Sequence, residues 1–143
     1  MSETFHYLTM ANQMLIQKKL MEQIRSSGLT LGQPKVLDYL KDHNGASQKE
    51  IAARCHIEAG SLTSILNRME EKKLIERKML NGNRRTYYIF LTGYGEKCIS
   101  LINNSFETIE QQAFEGISPE EQKAFMDTLT KIYNNLDHSP NTL

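Results

Sequence analysis

Between Ser47 and Leu91 the apolar rhythm of the chain changes once, and that change limits the folds open to it. Ser47-Gln48-Lys49-Glu50 has the form of a capping box, in which the hydroxyl and the carboxylate satisfy each other's backbone N–H groups. It opens a short helix with Ile51 and Ala52 inward, ending near Cys55-His56. After Ile57 a further helix carries Leu62, Ile65, Leu66 and Met69 on one face and ends near Lys73. The period then falls to two. Ile75 to Lys78 and Thr86 to Leu91 read as strands joined by a polar loop, and its Asn81-Gly82 suits the positive φ angles of a hairpin.

Helices flank this block on both sides. Residues 4 to 26 lack Gly and Pro and predict one long helix that stops at Ser26-Ser27-Gly28. Its apolar residues spread over more than one face, so it needs cover beyond its own domain. A second helix begins at Gln33-Pro34 and runs through Val36, Leu37 and Leu40 to a stop at Asn44-Gly45. From Thr92 a long helix turns Cys98, Leu101, Ile102, Phe106, Ile109 and Ala113 inward and stops near Gly116. The last helix opens with Ser118-Pro119-Glu120-Glu121 and shows Phe125, Leu129, Ile132 and Leu136 as a stripe. The fold class is therefore mainly α with a small β-hairpin wing: a winged helix-turn-helix of residues 29–92, with a helical region of residues 1–28 and 93–143.

A length of 143 residues suits one compact domain or two small lobes sharing a core. The net charge is zero, but its distribution is uneven. Residues 33–92 hold eleven Lys or Arg against seven acids, whereas residues 93–143 hold three Lys against eight acids. A basic middle before an acidic end is a local electrostatic footprint. The longest apolar runs are three residues, far short of the roughly 20 that span a bilayer, and nothing at the start resembles a signal peptide. A cytoplasmic protein without membrane contact is expected. Cys55 and Cys98 make no disulfide framework and read as buried thiols, although Arg54 and His56 beside Cys55 keep oxidation sensitivity open there.

No nucleophile–base–acid spacing, P-loop or dinucleotide glycine pattern is present, so catalysis is not expected. His6, His43, His56 and His138 are scattered, which argues against a metal site, and no cofactor is called for.

The chain resembles the MarR (multiple antibiotic resistance regulator) family. The resemblance rests on Leu29-Thr30 with Gln33 and Leu37, on Glu50-Ile51-Ala52, and on Leu62-Thr63 through Arg68-Met69-Glu70. It continues through Lys73-Leu74-Ile75-Glu76-Arg77, Asn83-Arg84-Arg85, and Leu91-Thr92 with Gly95. It implies a homodimer held by the outer helices, a pseudo-palindromic double-stranded DNA operator, and a repressor released by a small, often phenolic, effector.

Helix periodicity then selects contact candidates. With Leu62, Ile65, Leu66 and Met69 inward, the outward residues are Ser61, Thr63, Ser64, Asn67 and Arg68. Arg pairs with guanine and Asn with adenine, while Ser and Thr reach bases or phosphates. Ser47, Gln48 and Lys49 stand at a helix start suited to phosphate. Arg84 and Arg85 would enter the minor groove from the wing. Two departures from the family pattern weaken this set: Leu80 and Asn83 stand where the wing usually has aspartates, and Ser64 replaces an arginine. Phe5, His6, Tyr7, Met10, Met14 and Tyr39 are candidates to line an effector crevice, although aromatic and Met residues at helical spacing are also ordinary core. The alternative reading is a winged helix used for protein contacts without DNA.

Overall fold

The computed structural model describes residues 2–80, 82 and 85–137, which fall into two compact units, Met1–Ile109 and Glu110–Leu143. In the first unit, α1 (Phe5–Gln23) starts at Thr4, whose side chain accepts from the Tyr7 N–H. A 3-10 turn at Arg25–Ser27 and a left-handed Gly28 end it. Leu20 is the sole buried residue of α1, but Ile24 just beyond is fully enclosed.

Helix α2 (Gln33–Leu40) ends four residues short of the expected Asn44-Gly45 stop. It begins at Gly32, where φ is +90° and an added Cβ would lie 2.6 Å from Ile65 Cδ1. The left-handed backbone is what favours glycine there, since the Ile65 methyl at the end of its side chain can give way. Helix α3 (Gln48–Cys55) shows the hydroxyl half of the expected capping box, with Ser47 Oγ accepting from the Glu50 N–H at 3.1 Å, while the carboxylate turns elsewhere. Glu50 Oε2 reaches α2, accepting from the Tyr39 hydroxyl at 2.6 Å.

Helix α4 (Ala59–Glu71) buries Leu62, Leu66 and Met69 completely and Ile65 in part. Lys73, at φ +63°, turns the chain into β1 (Ile75–Lys78). Antiparallel β2 (Tyr88–Leu91) pairs Ile75 with Leu91 and Lys78 with Tyr88. It starts two residues later than Thr86, where its pairing with Lys78 at the end of β1 begins, and its other edge is engaged by the chain ahead of α3. Gly45 N donates to Ile89 O, Ile89 N to Ala46 O and Gln48 N to Tyr87 O, all within 2.9 Å. Asn44 Oδ1 accepts from Leu91 N. Thus β2 lies between β1 and the segment that leads into α3.

Helix α5 (Gly93–Ala113) follows at once. The Thr92 hydroxyl donates to Lys73 O at 2.6 Å and accepts from Gly95 N. A Cβ at Gly95 would collide with the Leu74 carbonyl. Cys98, Ile102 and Ile109 are buried as expected, together with Ile99 and Ser105. Leu101 and Phe106 are half-buried, while Ala113 in the last turn is exposed.

One apolar core joins all these elements. It runs from Leu20 and Ile24 through Leu37, Ile51, Leu62 and Leu66 to Ile89 and Ile102. Each such side chain contributes about 1.5–3 kcal/mol of transfer free energy, so the ends of α1 and α5 are fixed to the helices between them.

In the second unit a left-handed Gly116 separates the end of α5 from α6 (Pro119–Leu136). Ser118 Oγ caps α6 by accepting from the Glu121 N–H. Phe114 and Phe125 meet edge to face at 6.1 Å. No residue of α6 is buried, and Phe125, Met126, Leu129, Tyr133 and Leu136 are exposed.

Candidate nucleic-acid interface

The outer face of α4 is built by subtraction. Burial of Leu62, Leu66 and Met69 leaves Ser61, Thr63, Ser64, Asn67 and Arg68 all exposed on one side. Helix α3 is tied to that face by one bond, since Gln48 Nε2 donates to Thr63 Oγ1 at 2.9 Å. The Thr63 hydroxyl in turn donates to Ala59 O. Thr63 and Gln48, expected to meet DNA separately, therefore hold each other in place. Ser47 has its Oγ engaged as the α3 cap, whereas Lys49 is exposed beside it.

Asn67 is oriented from the wing. Arg77 on β1 donates from Nη2 to Asn67 Oδ1 at 2.6 Å and to Glu70 Oε1 at 2.8 Å. Its guanidinium also lies 5.6 Å from the Tyr87 ring centroid. Hydrogen bonding and charge from Arg77 hold the Glu70 carboxyl below the usual carboxylate range. The residue that braces α4 is therefore Arg77, not one of the expected contact candidates. No local signal could reveal it, because Arg77 stands on β1 and both its partners on α4.

The wing places Arg85 at the surface. Arg84, Asn83 and Asn81 lie outside the described residues. Leu80, the departure from the family's wing, is exposed beside Met79.

Of the crevice candidates, Phe5, His6, Tyr7, Met10 and Met14 are all exposed on α1. Tyr39 is half-buried on α2, its ring stacked on His43 at 4.2 Å. Burial and the Glu50 hydrogen bond push its hydroxyl up to about 12. Cys55 and Cys98 are both buried. Burial raises the Cys55 thiol to about 11, so it carries almost no thiolate at neutral pH despite Arg54 and His56 nearby. Among the described residues no group of three His, Cys, Asp or Glu could hold a metal, and no helix is long and apolar enough to cross a membrane.

Two helices locked by a side-chain bond, with a hairpin braced against the second, define a winged helix-turn-helix module. The sequence profile of the MarR family matches residues 27–86. YwoH of Bacillus subtilis, an HTH-type transcriptional regulator, is 31% identical over 111 residues, covering 78% of this chain and 80% of that protein. The transcriptional regulator HosA of Escherichia coli is 26% identical over 133 residues, 93% of this chain and 96% of its own. The crystal structure of the S. aureus MepR–DNA complex superposes with a TM-score of 0.85 at 27% identity, over 94% of this chain and 99% of that one. The chain belongs to the MarR family of winged-helix transcriptional regulators.

Proposed function

We propose that two copies of this chain bind a pseudo-palindromic double-stranded operator and repress transcription from it. Each copy lays α4 in the major groove and the wing against the adjacent minor groove. The observation that carries this reading is the α4 face: five polar side chains exposed side by side, opposite three that are completely enclosed. Arg68 and Asn67 are the base readers, Ser61, Thr63 and Ser64 reach bases or phosphates, and Arg84 and Arg85 serve the minor groove. Ser47, Gln48 and Lys49 meet the backbone.

Pairing uses the helical region of residues 1–28 and 93–143, where α1 and α6 leave large apolar side chains uncovered. A two-fold dimer sets its two reading helices about one turn of DNA apart. A small aromatic or phenolic effector, held near Phe5, His6, Tyr7, Met10, Met14 and Tyr39, releases the operator.

Mobility shift with fragments of the upstream region of the chain's own gene tests the whole reading. Binding must be specific and must weaken steeply with salt through counterion release. A complex with another protein and none with any duplex would favour the protein-contact reading instead. Titration with phenolic acids tests release: operator affinity that does not change removes the effector from the proposal.

A further inference from the structure

The hairpin runs out of core before it runs out of apolar residues. Met79 and Leu80 follow β1 directly and both are exposed, as is Tyr87 just ahead of β2. The register pairs Arg77 with Ile89 and Lys78 with Tyr88, so its outward continuation sets Met79 opposite Tyr87. Alternation along the strand then puts Met79 on the face of Ile75 and Arg77, and Leu80 on the other face with Lys78. Neither Met79 nor Leu80 belongs to the apolar core. Leucine at position 80, where the family's wing usually has an aspartate, removes a charge that would hold this side chain in water.

Charge says what such a tip can meet. At the root of the hairpin Glu70 pairs with Arg77 and Glu76 with Lys78. Beyond that root, residues 79–95 hold Arg84 and Arg85 and no acid, so the apolar tip sits in a stretch of net positive charge. Two or three side chains are far too few for a stable protein interface, which takes roughly 800 Å² from each partner. They suit the minor groove of a duplex, about 6 Å wide, with phosphates on its rims and apolar sugars along its walls. The tip is also continuous with the reading face, because Arg77 of the same hairpin donates to Asn67 on α4 at 2.6 Å. We propose that Leu80 is an apolar wedge: it enters the minor groove between two base pairs, with Met79 along the adjoining sugar wall, and bends the duplex towards the major groove. This rests on the proposed function and adds a source of selectivity to it. Pyrimidine–purine steps, TA or CA, unstack most easily, so the wedge favours operators that carry one beneath each wing without forming a hydrogen bond there.

Leu80→Ser removes the wedge at an exposed position and changes no charge, whereas Leu80→Phe keeps it apolar. Both are titrated, beside the wild type, onto the fragment that mobility shift identifies, labelled at its two ends so that energy transfer reports the bend. Copies in which each TA or CA step flanking the half-sites becomes AA are titrated in parallel. The wild type should bend the fragment by about 20° or more and should lose roughly tenfold in affinity at one altered step per half-site. Leu80→Ser should lose both the bend and the step preference, with an unchanged salt slope because no cation is removed. Leu80→Phe should retain both. Wild-type binding without a bend, or a bend and step preference that survive Leu80→Ser, overturns the wedge and leaves DNA binding intact. So does weaker binding by Leu80→Ser with the bend unaltered. A wild type that binds no duplex removes the proposed function and the wedge together. If that protein instead binds phosphatidylglycerol vesicles, and Leu80→Ser does not, the basic and apolar wing belongs to a membrane surface.

Discussion

Helices α4 and α6 have the same design in sequence, each with apolar residues along one stripe, but different fates in the structure. Leu62, Leu66 and Met69 of α4 are fully enclosed, whereas α6 buries nothing and leaves Phe125 half exposed and Leu136 at 77%. Periodicity says that a stripe exists; it is silent on what the stripe meets. The α4 stripe closes on its own chain because α2, α3 and β1 surround it. The α6 stripe, like the first three turns of α1, is available to another chain. A large apolar area left open on a protein of this size marks an interaction surface.

Substitutions that separate the two fates sharpen the contrast. Leu66→Ala should have the largest effect on stability, about 2–5 kcal/mol from lost transfer energy and a cavity. Chemical denaturation measures it, and a loss below about 1 kcal/mol would show that the core around Leu66 is loosely packed. Leu129→Glu on α6 should barely change secondary structure but should separate paired chains, raising the dimer dissociation constant roughly 30-fold or more. Sedimentation equilibrium reads this directly. An unchanged dimer would place the pairing surface elsewhere.

Arg77→Ala frees Asn67 and Glu70, and should weaken operator binding more than binding to unrelated DNA. Its effect on stability is smaller, roughly 0.5–1 kcal/mol, because Glu70 is 43% exposed and solvent screens the pair. The Glu70 carboxyl has a lowered folded-state pKa, so the pair stabilises the fold above the ordinary glutamate range. That stability is lost as pH falls through the depressed value. The variant should therefore show a flatter acid limb than the wild type in pH-dependent unfolding. The smallest effect expected is at Cys55: with its thiol near 11, a thiol reagent at pH 7 should label it slowly in folded protein and quickly in denaturant. Equal rates would mean that the site opens readily.

Much of the fold could be read from the sequence because its determinants are local. The Ser47 and Ser118 caps each act over three residues, and the enclosed face of α4 repeats every three or four. The α4 contact face followed from the same spacing. What escaped was non-local. The pairing of Gly45 to Gln48 with β2 depends on backbone groups, which leave no mark in residue type. Arg77 reaches Asn67 across ten positions, and Lys72 reaches Gln33 across thirty-nine. Gln33 was visible as a family-like residue, but nothing in a helix-start glutamine announces that it is buried with one donor unmatched.

The enclosure of Leu20 and Ile24 in the same core as Leu66 and Ile102 has a mechanical result. It makes α1 a lever with its fulcrum inside the reading domain. The arm from Leu20 to Phe5 is about 22 Å at 1.5 Å per residue, so moving its tip by roughly 2 Å turns the root by only about five degrees. A displacement of Phe5 and its neighbours would thus reach the core as a small rotation, a long stroke at the tip becoming a short one at the root.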